Sequence, residues 1–382
     1  MKRPTWQGYT LIGIAAALAL ALLISCSPQR AWEAVLVLED IRGGALPSQL
    51  DAITQAPARV SIEYPCRQRV CLADVYHGRQ PAAAGLVLVP GVTDQGKDDP
   101  RVVVFADTLA RAGFTVLVPE VAGLRQFRVS IDNVVDIEAA FAQLRTNSGL
   151  APERRAGIGA FSYAVGPAVL AALNPGITAE VDFFVAVGGY HDLSHALTFF
   201  TTGYYREGDA WRYRRPRDAA KWIFVLSNLH YLDNEQDREA LRLMGRRKLA
   251  NPNADVSALV NELGPQGLSV HELLDNTNPS RVPNLLARLP TGVREAIAAL
   301  TLTDKPLARL RAEVLLIHGL DDDMIPYTES IALSEALGSQ PHSLYLVDGL
   351  MHVDVEPGLL DSLTLWRAVE RLLTLRDTPR AP

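Results

Sequence analysis

Apolar and polar positions along the chain fall into stretches of different period. Two runs, "ARVSIEYP" and "LADVY", alternate apolar with polar residues and predict half-buried strands near residues 58–64 and 69–76. Four continuous apolar runs follow, "GLVLVP", "FTVLVP", "AGIGAF" and "DFFVAVGG", with helical patterns between them. Strands with no polar face are buried on both sides, and their alternation with helices predicts a parallel sheet joined by crossover helices. Between residues 191 and 306 the strand rhythm stops. Segments such as "DREALRLMGRRKLA" and "VPNLLARLPTGVREAIAALT" repeat at helical spacing instead, which predicts an inserted, mainly helical lid. The rhythm resumes with "AEVLLIHG", a helix over 327–337, the strand "HSLYLVDG" and a closing helix "GLLDSLTLWRAVERLLTL". No internal repeat or low-complexity tract interrupts the pattern.

The first residues follow a different rule. "MKRPTWQGYT" carries Lys2 and Arg3 ahead of an uncharged apolar run over 11–25, the layout of a secretory signal. The run is shorter than the ~20 residues of a spanning helix, and Trp6 and Tyr9 would extend it if it stayed as an uncleaved anchor. Either form exports the domain to a periplasmic or cell-surface position at a membrane. Leu23-Ile24-Ser25-Cys26 resembles the bacterial lipobox, which implies that Cys26 is lipidated. "AWEAVLVLEDI" then reads as a tethering amphipathic helix, followed by a Pro-containing polar linker over 46–57. The expected organisation is a signal or anchor over 1–25, tether and linker over 26–57, a first core part over 58–190, the lid over 191–306, a second core part over 307–376, and a tail over 377–382. Outside the cytoplasm a bridge between Cys66 and Cys71, which flank "RQRV", is permitted, and closing so short a loop would stabilise by at most about 2–3 kcal/mol. A disulfide is expected there, with a pair of buried free thiols as the alternative.

Composition narrows the function. Apolar residues make up 48% of 382, enough for one large core, and 37 basic against 43 acidic residues leave a net charge of -6. That balance gives nucleic acid no electrostatic footprint. The segment from Gly91 to Lys97 imitates a phosphate-binding loop, but Asp98 stands where such a loop needs a hydroxyl, and Asp99 adds a second acid that would repel a triphosphate. These acids, ahead of Pro100, read as caps of the next helix.

"GIGAFSYAVGPAVLAAL" sets Ser162 directly between a buried strand and an apolar helix, where a sharp turn presents its hydroxyl beside the backbone N–H of Tyr163. Here the chain resembles the α/β-hydrolases, whose nucleophile elbow reads G-x-S-x-G; Ala160 and Ala164 replace both glycines. Downstream, "LLIHGLDDDMIP" resembles the acid segment of that family and selects Asp322 over Asp321 and Asp323, and "LVDGLMHVDVEP" offers His352 after the next strand. Serine, acid and histidine stand in the order this fold uses. The resemblance implies Ser162 as nucleophile, His352 as base, Asp322 as its orienting acid, and an oxyanion hole from the Val92 and Tyr163 amides, with Pro90 replacing the usual histidine of that loop. His318, at a strand end, reads as a hydrogen-bonded structural residue. The implied activity is hydrolysis of a carboxylic ester through an acyl-enzyme, with no cofactor and no metal. A thioesterase or peptidase on the same triad, and a catalytically silent binding protein of this fold, are the alternatives.

Two lid segments bear on ligands. "HDLSH", His191 to His195, imitates a zinc motif but carries Asp192 for the acid and has no evident third ligand, so it reads as the polar start of the lid. "FFTTGYYREGDAWRYRRPRDAAKW" is dense in aromatics, which favour lid core or an apolar substrate part. Its arginines, Arg212, Arg214, Arg215 and Arg217, read as a solvated face, with an anionic substrate or lipid headgroups as the alternative.

Overall fold

The computed structural model describes residues 27–43, 47–78, 81–150, 155–351, 354–355 and 359–379. Eight strands form the central sheet: β1 (Ala58–Cys66), β2 (Arg69–His77), β3 (Ala84–Val89), β4 (Phe114–Pro119), β5 (Arg155–Phe161), β6 (Phe183–Val187), β9 (Glu313–Gly319) and β10 (His342–Val347), with β7 (Tyr204–Glu207) and β8 (Ala210–Tyr213) lying in the lid. Their order is β1-β2-β4-β3-β5-β6-β9-β10. Only β1–β2 and β2–β4 are antiparallel; every later neighbour is parallel. All six positions of β3 and of β4 are buried, because helices cover both faces, as continuous apolar runs require. This is the mainly parallel, doubly wound sheet of the α/β-hydrolase fold class. The chain leaves β3 for β4 on one side and returns to β5 on the other, so the carboxyl ends of β3 and β5 adjoin at a switch point, where a crevice opens.

The imitation phosphate loop is occupied by its own acids. Lys97 Nζ donates to Asp74 at 2.9 Å and to Asp98 at 3.1 Å, and Arg59 pairs with both carboxylates. Burial alone would raise the Asp74 carboxyl, but hydrogen bonds from Ser61, Lys97 and Arg59 bring it below the usual range. Asp99 caps the helix Pro100–Arg111, accepting the Arg101 N–H at 3.0 Å. Asp99 is thus the cap expected of this acid pair, whereas Asp98 does not cap the helix but is held in ion pairs with Lys97 and Arg59.

Three elements depart from the sequence reading. The helix Pro28–Gly43 is docked into the core rather than standing off as a tether: Ala31, Ala34 and Val37 are buried, Trp366 Nε1 donates to Ala31 O at 2.9 Å, and Arg376 pairs with Glu33. Its partner is the closing helix Leu359–Asp377 at the far end of the chain. The linker contains a short helix, Gln49–Ile53, started by a capping box in which Ser48 and Asp51 satisfy each other's backbone N–H at 3.1 and 3.0 Å. The lid is mainly helical but carries a two-stranded hairpin, β7 (Tyr204–Glu207) with β8 (Ala210–Tyr213). Its Gly208-Asp209 turn between aromatic runs is a hairpin signal masked by the helices on either side. Leu302 N donates to His191 O at 2.9 Å, closing the neck through which the lid leaves and rejoins the sheet. No helix among the described residues is long and apolar enough to cross a membrane. The apolar run over 11–25 and Cys26 lie outside the described residues.

Cys66 and Cys71 are buried free thiols, so the disulfide expected between them is not formed here. Register explains it: Cys66 lies opposite Arg69 and Cys71 opposite Tyr64, making the cysteines diagonal neighbours. Diagonal positions stand about 7–8 Å apart, beyond the usual Cα spacing of a disulfide. The Cys66 thiol instead donates to Asp136 at 3.5 Å, Arg69 neutralises that carboxylate, and burial pushes the Cys66 thiol up.

Candidate active site

β5 runs apolar to Phe161, and the chain turns at Ser162 into a single turn, Ser162–Ala164, that feeds the helix Val165–Ala172. Ser162 has φ +56°, a left-handed conformation that costs a residue with a Cβ about 1–3 kcal/mol. Surrounding packing holds it there. Ala160 is 1% exposed and Ala164 0%, so the two residues that replace the family's glycines fit as small side chains in a closed turn. The register pairs Val89 of β3 with Ala160, which sets the loop after β3 beside this turn.

That loop carries Pro90, Gly91 and Val92. A Cβ built on Gly91 would lie 3.7 Å from Phe161 and 3.8 Å from the Ser162 Cβ. The loop therefore passes beside the serine at a distance that a single methyl would fill in ordinary contact. Val92, the next residue, is half-buried between the sheet core and the lid. The structure thus brings together Ser162, Tyr163 and the Val92 segment.

Asp322 follows β9 and is 3% exposed. Its Oδ1 accepts the backbone N–H groups of Met324 at 2.7 Å and Ile325 at 3.0 Å, so one carboxylate oxygen builds its own turn. Its Oδ2 faces β6: a Cβ on Gly188 would come within 3.3 Å of it, and Gly188 has φ +64°. Both the left-handed φ and the close carboxylate favour glycine there. His318 is completely buried, with Nδ1 2.6 Å from Ser330 Oγ and Nε2 3.0 Å from Ile325 O and 3.4 Å from Asp322 Oδ2. A carbonyl at Nε2 requires the proton on that nitrogen, leaving Nδ1 to accept from the Ser330 hydroxyl. His318 clamps the acid turn from beneath, the structural role read from its place at a strand end.

His352 lies outside the described residues. The strand that leads toward it, Leu350–Met351, passes against the acid segment: the Leu350 carbonyl sits so close to Gly319 that no Cβ would fit between them.

Tyr163 joins the two halves of the site. Its buried hydroxyl donates to Met324 O at 3.2 Å, two residues past Asp322, and its ring meets Tyr190 at 6.1 Å. Burial first, and the Asp322 charge second, hold its phenol well above the ordinary range, so it stays a neutral donor. Beside it lies a partly open apolar cavity of about 40 Å³ lined by Tyr163, Leu193, Leu197, Phe200, Ile223 and Leu300. That volume holds little more than a water or two. At the neck, Asp192 caps the helix Leu193–Thr202 by accepting from Ser194 N at 2.7 Å, and His195 Nδ1 lies 3.3 Å from Glu329. The buried Glu329 carboxylate also accepts the N–H groups of His191 and Asp192 at 3.0 and 2.7 Å. The acid and one histidine of the zinc-like pattern are therefore engaged in holding the neck.

Sequence reasoning passed over Gly188, Ser330, Glu329 and the hydroxyl of Tyr163. Only Gly188 left a signal, in the paired glycines after "DFFVAV"; the others act through contacts between distant segments.

No family model matches the chain, and no curated protein matches it. Among solved structures it is similar to a dienelactone hydrolase from Anabaena variabilis ATCC 29413, at 13% identity over 82% of this chain and 96% of that one, with a TM-score of 0.43. It is also similar to Est1E from Butyrivibrio proteoclasticus, at 12% identity over 83% and 98% of the two chains, with a TM-score of 0.45. A puromycin-hydrolyzing peptidase of Mycobacterium tuberculosis aligns at 16% identity over 87% of this chain but 40% of its own, with a TM-score of 0.49.

Proposed function

We propose that the chain is an exported, membrane-associated serine hydrolase that cleaves a carboxylic ester with an apolar part. The observation that carries this reading is Ser162, a residue with a Cβ held at φ +56° at the carboxyl end of a central strand, with the loop at Gly91 beside it. Strain of this kind persists only where packing enforces it, which fits a turn whose work is to present a nucleophilic hydroxyl. In the proposed reaction His352 removes the Ser162 proton as the oxygen attacks the ester carbonyl, and the Val92 and Tyr163 amides receive the charge on the carbonyl oxygen. The tetrahedral intermediate collapses to an acyl-enzyme, and His352 passes the proton to the departing alcohol. Water then attacks the acyl-enzyme with His352 again as base, releasing the acid and restoring Ser162. Asp322 holds the imidazole's tautomer and stabilises its positive charge. The Asp322 geometry supports that role, since its Oδ1 is committed to the turn and its position is fixed from below by His318.

Labelling with a fluorophosphonate probe tests the reading directly. Wild type is expected to label and to hydrolyse aryl esters, and Ser162→Ala to do neither. Retained labelling in that variant would move the nucleophile elsewhere, and absence of labelling in wild type would favour a silent binding protein. A panel of esters, thioesters and amides of graded acyl length assigns the bond cleaved. Lipid attachment at Cys26 is read by palmitate-analogue incorporation, expected in wild type and lost in Cys26→Ser.

A further inference from the structure

The lid hairpin has two unlike faces. Its register pairs Tyr204 with Tyr213, Tyr205 with Arg212, and Arg206 with Trp211. Alternation along the strands therefore places Tyr205, Glu207 and Arg212 on one face and Tyr204, Arg206, Trp211 and Tyr213 on the other. The first face packs on the protein: the Tyr205 ring meets Phe199 at 5.8 Å and Tyr327 at 6.0 Å, and Glu207 accepts from the Tyr327 hydroxyl and from Arg212. The second face is open to solvent. Trp211 is 40% and Tyr213 62% exposed, Tyr204 sets its ring edge-on to both, and the Arg206 guanidinium lies 4.1 Å over the indole.

Arg206 stands on this face, and Arg214 and Arg215 follow directly after β8. Arg212 pairs with Glu207, and Arg217 with Asp323 at 3.1 Å, but among the described residues Arg206, Arg214 and Arg215 lie against no carboxylate. This cluster runs against a net charge of -6 for the chain. A merely solvated face has no use for an exposed indole and phenol, and a small free anion would engage the guanidinium groups alone. Amphipathic rings with one polar edge, beside arginines that pair with no carboxylate, match a boundary that is apolar on one side and anionic at its rim.

We propose that the outer face of β7–β8 docks on a bilayer bearing anionic headgroups. Trp211 and Tyr213 enter at headgroup level, and Arg206, Arg214 and Arg215 bind lipid phosphates through paired N–H donors. Arg217 anchors the segment after the hairpin to the acid turn, its N–H donating to Asp323 O at 2.8 Å, so the docked bilayer lies on the Asp322 side of the molecule. The proposal does not depend on the hydrolase reading.

The test uses the full chain reconstituted into vesicles of phosphatidylcholine alone, or mixed with phosphatidylglycerol, with and without brominated acyl chains. Bromine quenching of tryptophan fluorescence reports depth, and the difference between wild type and Trp211→Phe isolates residue 211 from the other four tryptophans. Residue-211 quenching is expected in anionic vesicles, to be small in zwitterionic ones, and to fade at high salt. Replacing Arg206, Arg214 and Arg215 together by Gln is expected to lower docked occupancy roughly 100-fold, each arginine near an anionic surface contributing about fivefold. Quenching of residue 211 that is absent, or equal in both lipids and insensitive to salt, overturns the proposal. So does protection of the hairpin by an acidic protein with no response to vesicles. The salt titration on wild type reads the same electrostatic contribution should the triple variant fail to fold.

Discussion

Gly91→Ala separates the work of the loop after β3 from its packing. The added methyl would meet Phe161 Cβ at 3.7 Å, Phe161 O at 3.7 Å and Ser162 Cβ at 3.8 Å, all ordinary van der Waals distances, and Gly91 does not have a left-handed φ. The folded state accommodates it, while the unfolded chain loses the freedom of a glycine, an effect of about 0.4–1 kcal/mol in favour of folding. For a chain of this size that corresponds to a rise in Tm of roughly 1 °C. On the proposed mechanism the same methyl, set beside Ser162, would push the substrate carbonyl away from the Val92 amide. Losing one oxyanion donor costs about 2.7–4 kcal/mol, so kcat is expected to fall about 10²–10³-fold with KM much less affected. Thermal unfolding and steady-state hydrolysis of an aryl ester supply the two readouts, which should move in opposite directions. A stable variant with full activity would show that this loop does not face the reacting carbonyl. Loss of stability and activity together would make Gly91 a packing residue and refute the reasoning.

Asp322→Asn keeps an Oδ1 acceptor for the Met324 and Ile325 amides but removes the charge, so the variant should fold while kcat falls about 10⁴-fold, as measured with the same ester. Asp74→Ala removes the buried carboxylate shared by Lys97 and Arg59 but leaves Asp98 to both cations, and a loss of about 1.5–3 kcal/mol is expected in urea unfolding. The His195 imidazole is held above its ordinary range chiefly by the hydrogen bond to Glu329. Its contribution to the lid neck is therefore complete below the unfolded pKa of about 6.5 and is lost as pH rises through the higher folded value. His195→Gln should flatten the fall of Tm across that window, and an unchanged pH profile would remove the histidine from the neck's stability.

Local pattern made much of this molecule legible. Continuous apolar runs identified β3 to β6 and β9 within a residue or two at each end, because burial on both faces is written into every position of such a strand. The Ser162 turn was readable for the same reason: a buried strand meeting an apolar helix across one serine is a local feature. Tertiary structure alone decided what depends on segments meeting from afar. The helix Pro28–Gly43 looked like a tether until its apolar side found the closing helix more than 300 residues on, a pairing that no periodicity encodes. The cysteines looked like a bridge until register made them diagonal, a two-residue offset that spacing in the chain cannot express. Gly188 and Glu329 acquired meaning only through the carboxylate and the amides they face across the fold. Sequence specifies which faces must be buried; the folded chain specifies what they are buried against, because hydrophobic patterning is local and non-directional whereas register, close backbone approach and charge pairing are set between distant residues.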